Sequence, residues 1–235
     1  MQEVLYEGKA KILYRTADPA VLLVHFKDEA TAFNAQKKGI IARKGEYNCT
    51  IASHILQYLQ QQGIANHFLR QVAPQQMLVQ AVKILPLEVV VRNIAAGSLC
   101  QRLGIEQGRV LPQPIVEFYY KNDDLGDPLV NNDHIALLQV ATPEQVELLR
   151  QQALAVNDRL QPFFQSRRLK LVDFKLEFGI NGHGAVILAD EISPDTCRLW
   201  DWDTDRVLDK DRFRQDLGGE SAAYAEVLRR VVEST

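Results

Sequence analysis

Residues 171–178, Leu-Val-Asp-Phe-Lys-Leu-Glu-Phe, alternate apolar and charged from Val172 onward. In an extended strand successive side chains point to opposite faces. Val172, Phe174, Leu176 and Phe178 therefore enter a core, while Asp173, Lys175 and Glu177 share the other face. The chain must then contain a sheet with one sealed side and one charged side. A second apolar run, residues 185–192, follows Asn181-Gly182-His183-Gly184 and reads as the hairpin partner. A four-residue loop, 181–184, pairs Ile180 with Ala185 and sets Asp190 opposite Lys175, diagonal to Glu177. A two-residue Asn181-Gly182 loop pairs Asp190 with Asp173 instead. Both registers put Asp190 on the charged face; a three-residue loop or a bulge would not. Three carboxylates on one small surface repel unless a cation neutralises them. Two or three carboxylates plus substrate phosphates is the usual way Mg²⁺ is held. A solvated outer face, with Lys175 offsetting the acids, fits the same periodicity.

The first ~90 residues read mainly as strands, at 5–14, 21–26, 77–82 and 88–92. One helix interrupts them: Ala52, Ile55, Leu56 and Leu59 fall on one face and Gly63 supplies a stop. In the second part Thr142-Pro143-Glu144-Gln145 is a helix start, with a Thr cap and Gln placed for a capping box. Val146, Leu149, Ala153, Val156, Leu160 and Phe163 then mark its buried face. A last helix carries Tyr224, Val227, Leu228 and Val231 on one side. The class is α+β in two lobes, divided near Leu85-Pro86. A cleft between lobes is the default ligand site.

Two further clusters suit anions. Gly8 permits close backbone approach, and Lys9 and Lys11, read as one face of a strand, suit nucleotide phosphates. A surface hairpin with solvated lysines is the plainer reading of the pattern, and neither GxxxxGK[ST] nor GxGxxG occurs. Val89-Val90-Val91-Arg92-Asn93 ends an apolar strand on an arginine, and Ala95-Ala96-Gly97-Ser98 opens a short helix. Backbone N–H groups, a hydroxyl and a guanidinium fork together recognise phosphate; a simple Ser cap beside a surface arginine fits equally. Arg198 lies in a turn-rich loop after Asp190, residues 208–214 are a dense charged run, and 117–131 reads as a strand and a polar loop.

With 46% hydrophobic and 24% charged residues the composition is that of a soluble globular chain. A net charge of -3 disfavours a nucleic-acid partner. Cys49, Cys100 and Cys197 lie far apart without CxxC, against a disulfide framework or structural zinc. No long apolar run marks a signal peptide at Met1-Gln2-Glu3-Val4, and none marks a membrane span. The five histidines lack metal-ligand spacing, and no Ser/His/Asp or Cys/His site is legible.

The segments LYEGKAK (5–11), KDEATAFNAQKKG (27–39), VVVRNIAAGSL (89–99), EFYYKNDDLGDPLVN (117–131), LVDFKLEFG (171–179), LADEISPDTCRLWD (188–201) and LDKDRFRQDLGG (208–219) stand in one order along nearly the whole chain. Together they resemble the SAICAR synthetase family. That resemblance implies a small N-terminal β-rich lobe, residues 1–85, and a larger C-terminal α+β lobe, residues 86–235, with ATP in the cleft, distantly like a kinase. It implies ligation of L-aspartate to carboxyaminoimidazole ribonucleotide (CAIR) through an acyl phosphate, in the cytoplasm, by a homodimer. Glu177 and Asp190 are then the Mg²⁺ ligands, and Lys175 a catalytic cation. Gly8, Lys9, Ala10, Lys11, Val82, Lys83 and Leu85 fall to ATP. Arg92, Ser98, Arg198 and Arg214 fall to the ribonucleotide phosphate, Lys210 to a substrate carboxylate, and 31–44 to the aspartate side. The competing readings are a kinase-like small-molecule phosphotransferase, which would carry HRD and DFG segments that are absent, and a non-catalytic nucleotide-binding module.

Overall fold

The computed structural model describes residues 3–32 and 36–233. Residues 33–35, within the stretch read as the aspartate side, and Met1-Gln2 of the signal-peptide reading lie outside the described residues. The chain begins with β1 (Val4–Glu7), β2 (Lys11–Arg15), β3 (Val21–Phe26), β4 (Glu29–Ala32), β5 (Lys37–Ile40) and α1 (Lys44–Gln61). It continues through β6 (Phe68–Ala73), β7 (Gln76–Gln80), β8 (Lys83–Ile94), α2 (Ser98–Leu103), β9 (Val110–Tyr120) and β10 (Leu129–Val130). Then come α3 (Asn132–Leu138), α4 (Pro143–Gln165), β11 (Leu169–Ile180), β12 (Val186–Ala189), β13 (Cys197–Asp201), α5 (Asp211–Arg214) and α6 (Glu220–Val232). No helix among the described residues is long and apolar enough to cross a membrane.

Two antiparallel sheets organise the molecule. The first runs β1-β2-β3-β7-β6, and the second runs β10-β9-β8-β11-β12 with β13 also on β11. β11 pairs with β8 along one edge; along the other, β13 takes its first half and β12 its second. This is the α+β arrangement expected, with the change of sheet falling between Gln80 and Lys83 and β8 running on through Leu85-Pro86.

The alternation holds from Asp173 to Phe178, but a bulge at Val172 takes that side chain out of the shared core and into a separate cluster with Ala96 and Trp200. Phe174, Leu176 and Phe178 are buried with Leu87, Val89 and Val91 against the face of α4 formed by Leu149, Ala153, Val156 and Leu160. α4 starts as read: Thr142 and Gln145 exchange the two bonds of a capping box, 3.2 and 2.9 Å. α1 buries Ala52, Ile55, Leu56 and Leu59 and ends before Gly63, whose φ of 82° is left-handed. It packs between the first sheet and α6.

The hairpin register differs from both expected ones. Ile180 pairs with Val186 and Glu177 with Ala189, so the loop is residues 181–185. Asn181 closes it, accepting through Oδ1 from the N–H groups of His183 and Ala185 at 3.0 Å each. One added loop residue shifts every later side chain to the other face. Asp190, were the strand to continue, would follow Leu176 into the core.

β8 carries a bulge. Glu177 faces Glu88 but Gly179 faces Ile84, so three residues of β8 span one of β11. Pro86, which has no N–H to offer the ladder, sits there. Gly179 permits the close approach, because a Cβ there would lie 2.5 Å from Val82 Cγ2. Gly179→Ala is expected to lower the unfolding free energy by about 1–3 kcal/mol. Val82→Ala in the same chain should recover part of that loss, as read by urea denaturation.

Candidate active site

The three central strands of the second sheet present one polar face. Opposite residues share a face, so the register stacks Tyr119, Glu88 and Glu177 in one row. Glu117, Val90 and Lys175 form the next, and Ile115, Arg92 and Asp173 the third. This face and the apolar inner surface of the first sheet enclose a cavity of about 740 Å³.

The rows sort the charges. At one end Lys175 Nζ donates to Glu88 Oε1 at 2.8 Å and Glu177 Oε1 at 2.9 Å, and lies 3.8 Å from Asp190 Oδ2. Lys121 Nζ donates to the same Glu177 oxygen at 2.8 Å. Lys11 reaches across from the first sheet to bond Asp190 and stands 3.4 Å from Glu191. Burial works against the Lys11 and Lys175 ammonium groups, but the surrounding carboxylates outweigh it and hold both above the usual lysine range. Burial likewise opposes ionised Asp190, yet Lys11 and Lys175 hold it well below the carboxylate range. Glu191 goes the other way: burial, joined by Asp190 and Asp195, outweighs Lys11 and raises it. Its Oε2 is buried without a protein partner.

Asp190 reaches this cluster by an exceptional backbone. β12 ends at Ala189, and Asp190 has φ 62°. A left-handed residue with a Cβ costs roughly 1–2 kcal/mol and here reverses the parity that the five-residue loop imposed. The expectation that Asp190 joins Glu177 and Lys175 holds, but through this turn and not through strand register.

The other end of the face belongs to arginines. Asp173 Oδ2 accepts from Arg92 Nη1 and Arg198 Nη1, both at 2.8 Å. Asp173 therefore belongs with the arginines and not with Glu177 and Asp190, correcting the three-carboxylate cluster. Arg92 also donates to Glu117 Oε2 at 2.8 Å, Ser98 Oγ at 3.0 Å and Tyr119 Oη at 3.1 Å. Ser98 is not a cap; Gly97 holds the cap position and lies so close to the Arg198 guanidinium that a Cβ would overlap it. Arg198 Nε donates to Asp211 Oδ2 at 2.7 Å, and Arg214 bonds the other oxygen of Asp211.

A buried wall stands behind both ends. Lys44 Nζ donates to Asp195 Oδ2 at 2.8 Å, Tyr224 Oη donates to Asp195 Oδ1 at 2.7 Å, and Lys210 Nζ lies 3.8 Å away. Burial opposes the Asp195 charge, but Lys210 and Lys44 outweigh it and hold the carboxyl far below its ordinary value. Burial lowers Lys210 in spite of Asp195.

Most residues predicted from sequence line this cavity: Gly8, Lys9, Ala10, Lys11, Val82, Arg92, Lys175, Glu177, Asp190, Arg198, Lys210 and Arg214. Ser98 touches it through Arg92, whereas Lys83 is exposed and Leu85 is in the core. Lys9 and Lys11 do not share a strand face: Lys9 precedes β2 and pairs with exposed Asp123 at 2.7 Å, at the mouth. Glu88, Lys121, Glu117, Tyr119, Lys44, Asp195, Glu191 and His67 also stand at or beside this site, though no sequence motif singles them out. The two-residue spacing of Glu117, Tyr119 and Lys121 would have placed those three on the Arg92 face. Nothing local marks Lys44 or Asp195.

A family profile described as SAICAR synthetase matches residues 4–231. A phosphoribosylaminoimidazole-succinocarboxamide synthase of a Synechococcus species is 66% identical over 99% of this chain and 95% of its own length. The crystal structure of the enzyme of that name from Ehrlichia chaffeensis superposes with a TM-score of 0.96 at 44% identity, covering 99% of this chain and 100% of its own. A SAICAR synthetase in complex with ADP gives 0.95 at 44% identity, covering 99% of both chains.

Asp195→Asn would leave the Lys44 ammonium buried without its counter-charge and is expected to cost about 3–5 kcal/mol. Adding Lys44→Met should cost less than the sum of the single changes, measured by urea unfolding at neutral pH. Because the folded Asp195 pKa is depressed, its contribution is complete above about pH 4. It is lost as the pH falls toward the lower folded value.

Proposed function

Since this chain belongs to the SAICAR synthetase family, it catalyses ATP-dependent ligation of L-aspartate to CAIR in purine biosynthesis, and we propose that the two ends of the polar face divide that reaction between them. The observation that carries this reading is the juxtaposition, on three adjacent strands, of a lysine–carboxylate cluster and a two-arginine pocket. ATP lies at the first end. Gly8, Lys9, Ala10 and Lys11 hold its phosphates, and Leu13, Leu22, Val24, Met77 and Val79 give the adenine an apolar floor. The backbone of Val82, Lys83 and Leu85 borders the base. CAIR lies at the second end, its phosphate on Arg92, Ser98, Arg198 and Arg214 and a carboxylate near Lys210.

Mg²⁺ fits the donor set. It binds through one or two carboxylates plus substrate phosphates, and does not need a full protein cage. Glu177 and Asp190 supply two such carboxylates, and among the described residues no three ligating side chains form a closed site. Bound there, the ion would neutralise charge on the ATP phosphates.

A carboxylate is a poor electrophile because oxide is its leaving group. The CAIR carboxylate oxygen attacks the γ-phosphorus, ADP departs, and an acyl phosphate forms. The aspartate amine then attacks the acyl carbon and expels phosphate, losing its proton as the amide forms. The protein's part is positioning and charge balance. Lys175, shared by Glu88 and Glu177 and close to Asp190, stands where the transferred phosphoryl group passes. Its ammonium offsets the charge that develops there. Residues 1–85 and 86–235 act as the two lobes, and the working enzyme is a cytoplasmic homodimer.

Glu177→Gln is expected to lower kcat at least a hundredfold in a chain still folded by circular dichroism. ADP release by the natural chain should require both CAIR and aspartate. ADP release with CAIR alone at full rate would point to the phosphotransferase reading, and near-natural turnover by E177Q would remove Glu177 from the metal.

A further inference from the structure

His67 lies just before β6, lines the cavity beside Asp190 and is buried. Its Nε2 is 2.9 Å from the Asp190 carbonyl oxygen. A carbonyl only accepts, so Nε2 carries the proton and donates. The same segment clamps the end of β12 through its backbone. Leu188 N–H donates to Ala65 O at 3.1 Å, and His67 N–H donates to Leu188 O at 2.9 Å. His67 O is itself fixed by the N–H of Gln80 at 2.7 Å. Leu188 is thus held on both sides, by Phe178 of β11 and by the 65–67 segment. Between Leu188 and the His67–Asp190 bond, little freedom is left to Ala189 and Asp190.

That matters because Asp190 does not enter the cleft by strand alternation. Its left-handed φ of 62° makes the turn; aspartate takes up this conformation more readily than most residues with a Cβ but still at a cost, so the bonds on either side of it decide whether the turn is held. We infer that His67 is a positioning residue for the reaction, whose imidazole holds the Asp190 carbonyl and so locks the backbone turn that aims the Asp190 carboxylate into the nucleotide end of the cleft. The inference rests on the reading that Asp190 binds the metal–nucleotide complex. Losing the bond leaves a buried carbonyl unpaired. The backbone then relaxes toward the extended form, and the carboxylate leaves Lys11 and Lys175 for the core side.

The test compares ADP affinity with and without Mg²⁺, by isothermal titration, in four variants. His67→Met removes the donor at similar volume, and His67→Asn has an amide too short to reach. His67→Gln restores an N–H at the Nε2 position. Asp190→Asn tests the premise. The expected result is that H67M and H67N lose about tenfold of the Mg²⁺-dependent gain in ADP affinity while metal-free ADP affinity stays within twofold, and that H67Q stays within threefold of the natural chain. Should H67M not fold, the H67N and H67Q pair decides. The inference is overturned by H67N and H67M retaining the full Mg²⁺ gain, by H67Q losing as much as H67N, or by metal-free affinity falling equally. If D190N keeps the gain, the premise about Asp190 fails whatever His67 does; if D190N loses it while the His67 variants do not, the His67 inference alone fails.

Discussion

The ladder between β8 and β11 must bury one face and charge the other, and most of the molecule is arranged around that demand. The buried face is Leu87, Val89, Val91, Phe174, Leu176 and Phe178, closed by α4. At about 25 cal/mol per Å² of apolar surface, six such side chains dominate the local energetics. That burial fixes the plane of the sheet and hence where the opposite face stands. The charged face could not hold so many ionised groups near one another if each lacked a partner. Every side chain on it that carries charge is paired: Arg92 with Glu117 and Asp173, Lys175 with Glu88 and Glu177.

Such pairing makes the cleft a set of matched charges and not a bare anion hole. Lys11, Lys121 and Lys175 stand among Glu88, Glu177, Asp190 and Glu191. Arg92 and Arg198 share Asp173. In the proposed reading, a nucleotide with its cation, or a sugar phosphate, would exchange partners within a network whose charges are already paired. Little reorganisation is needed when charge moves, which is the electrostatic requirement for phosphoryl and acyl transfer. The cavity also draws on both sheets, since Lys11 comes from the first and Asp190 from the second. Their ion pair ties the two sheets across the ligand space.

The helices were legible because their signals are local. The Thr142–Gln145 box and the spacing of Leu149, Ala153, Val156 and Leu160 specify α4 without reference to anything distant. The strand 171–178 was legible for the same reason. The hairpin after it was not, because loop length in Asn181-Gly182-His183-Gly184-Ala185 depends on how Asn181 closes it, and one residue reverses the facing of all that follows. The outcome for Asp190 was nevertheless as expected, since a second local departure, its left-handed backbone, cancelled the first.

Sequence by itself determined which residues alternate, where α4 starts and where α1 stops, and the family to which the motif order belongs; each of these rests on interactions within a few residues or on the linear order of motifs. Only the tertiary structure decided the division of labour among the charges. Asp173 went to the arginines, Glu88 and Lys121 joined Glu177, and Lys44 found Asp195 from 151 positions away. The reason is physical: which buried charge neutralises which depends on distances of about 3 Å set by sheet register, bulges and a single reversed backbone, and the order of residues does not fix distances to that precision.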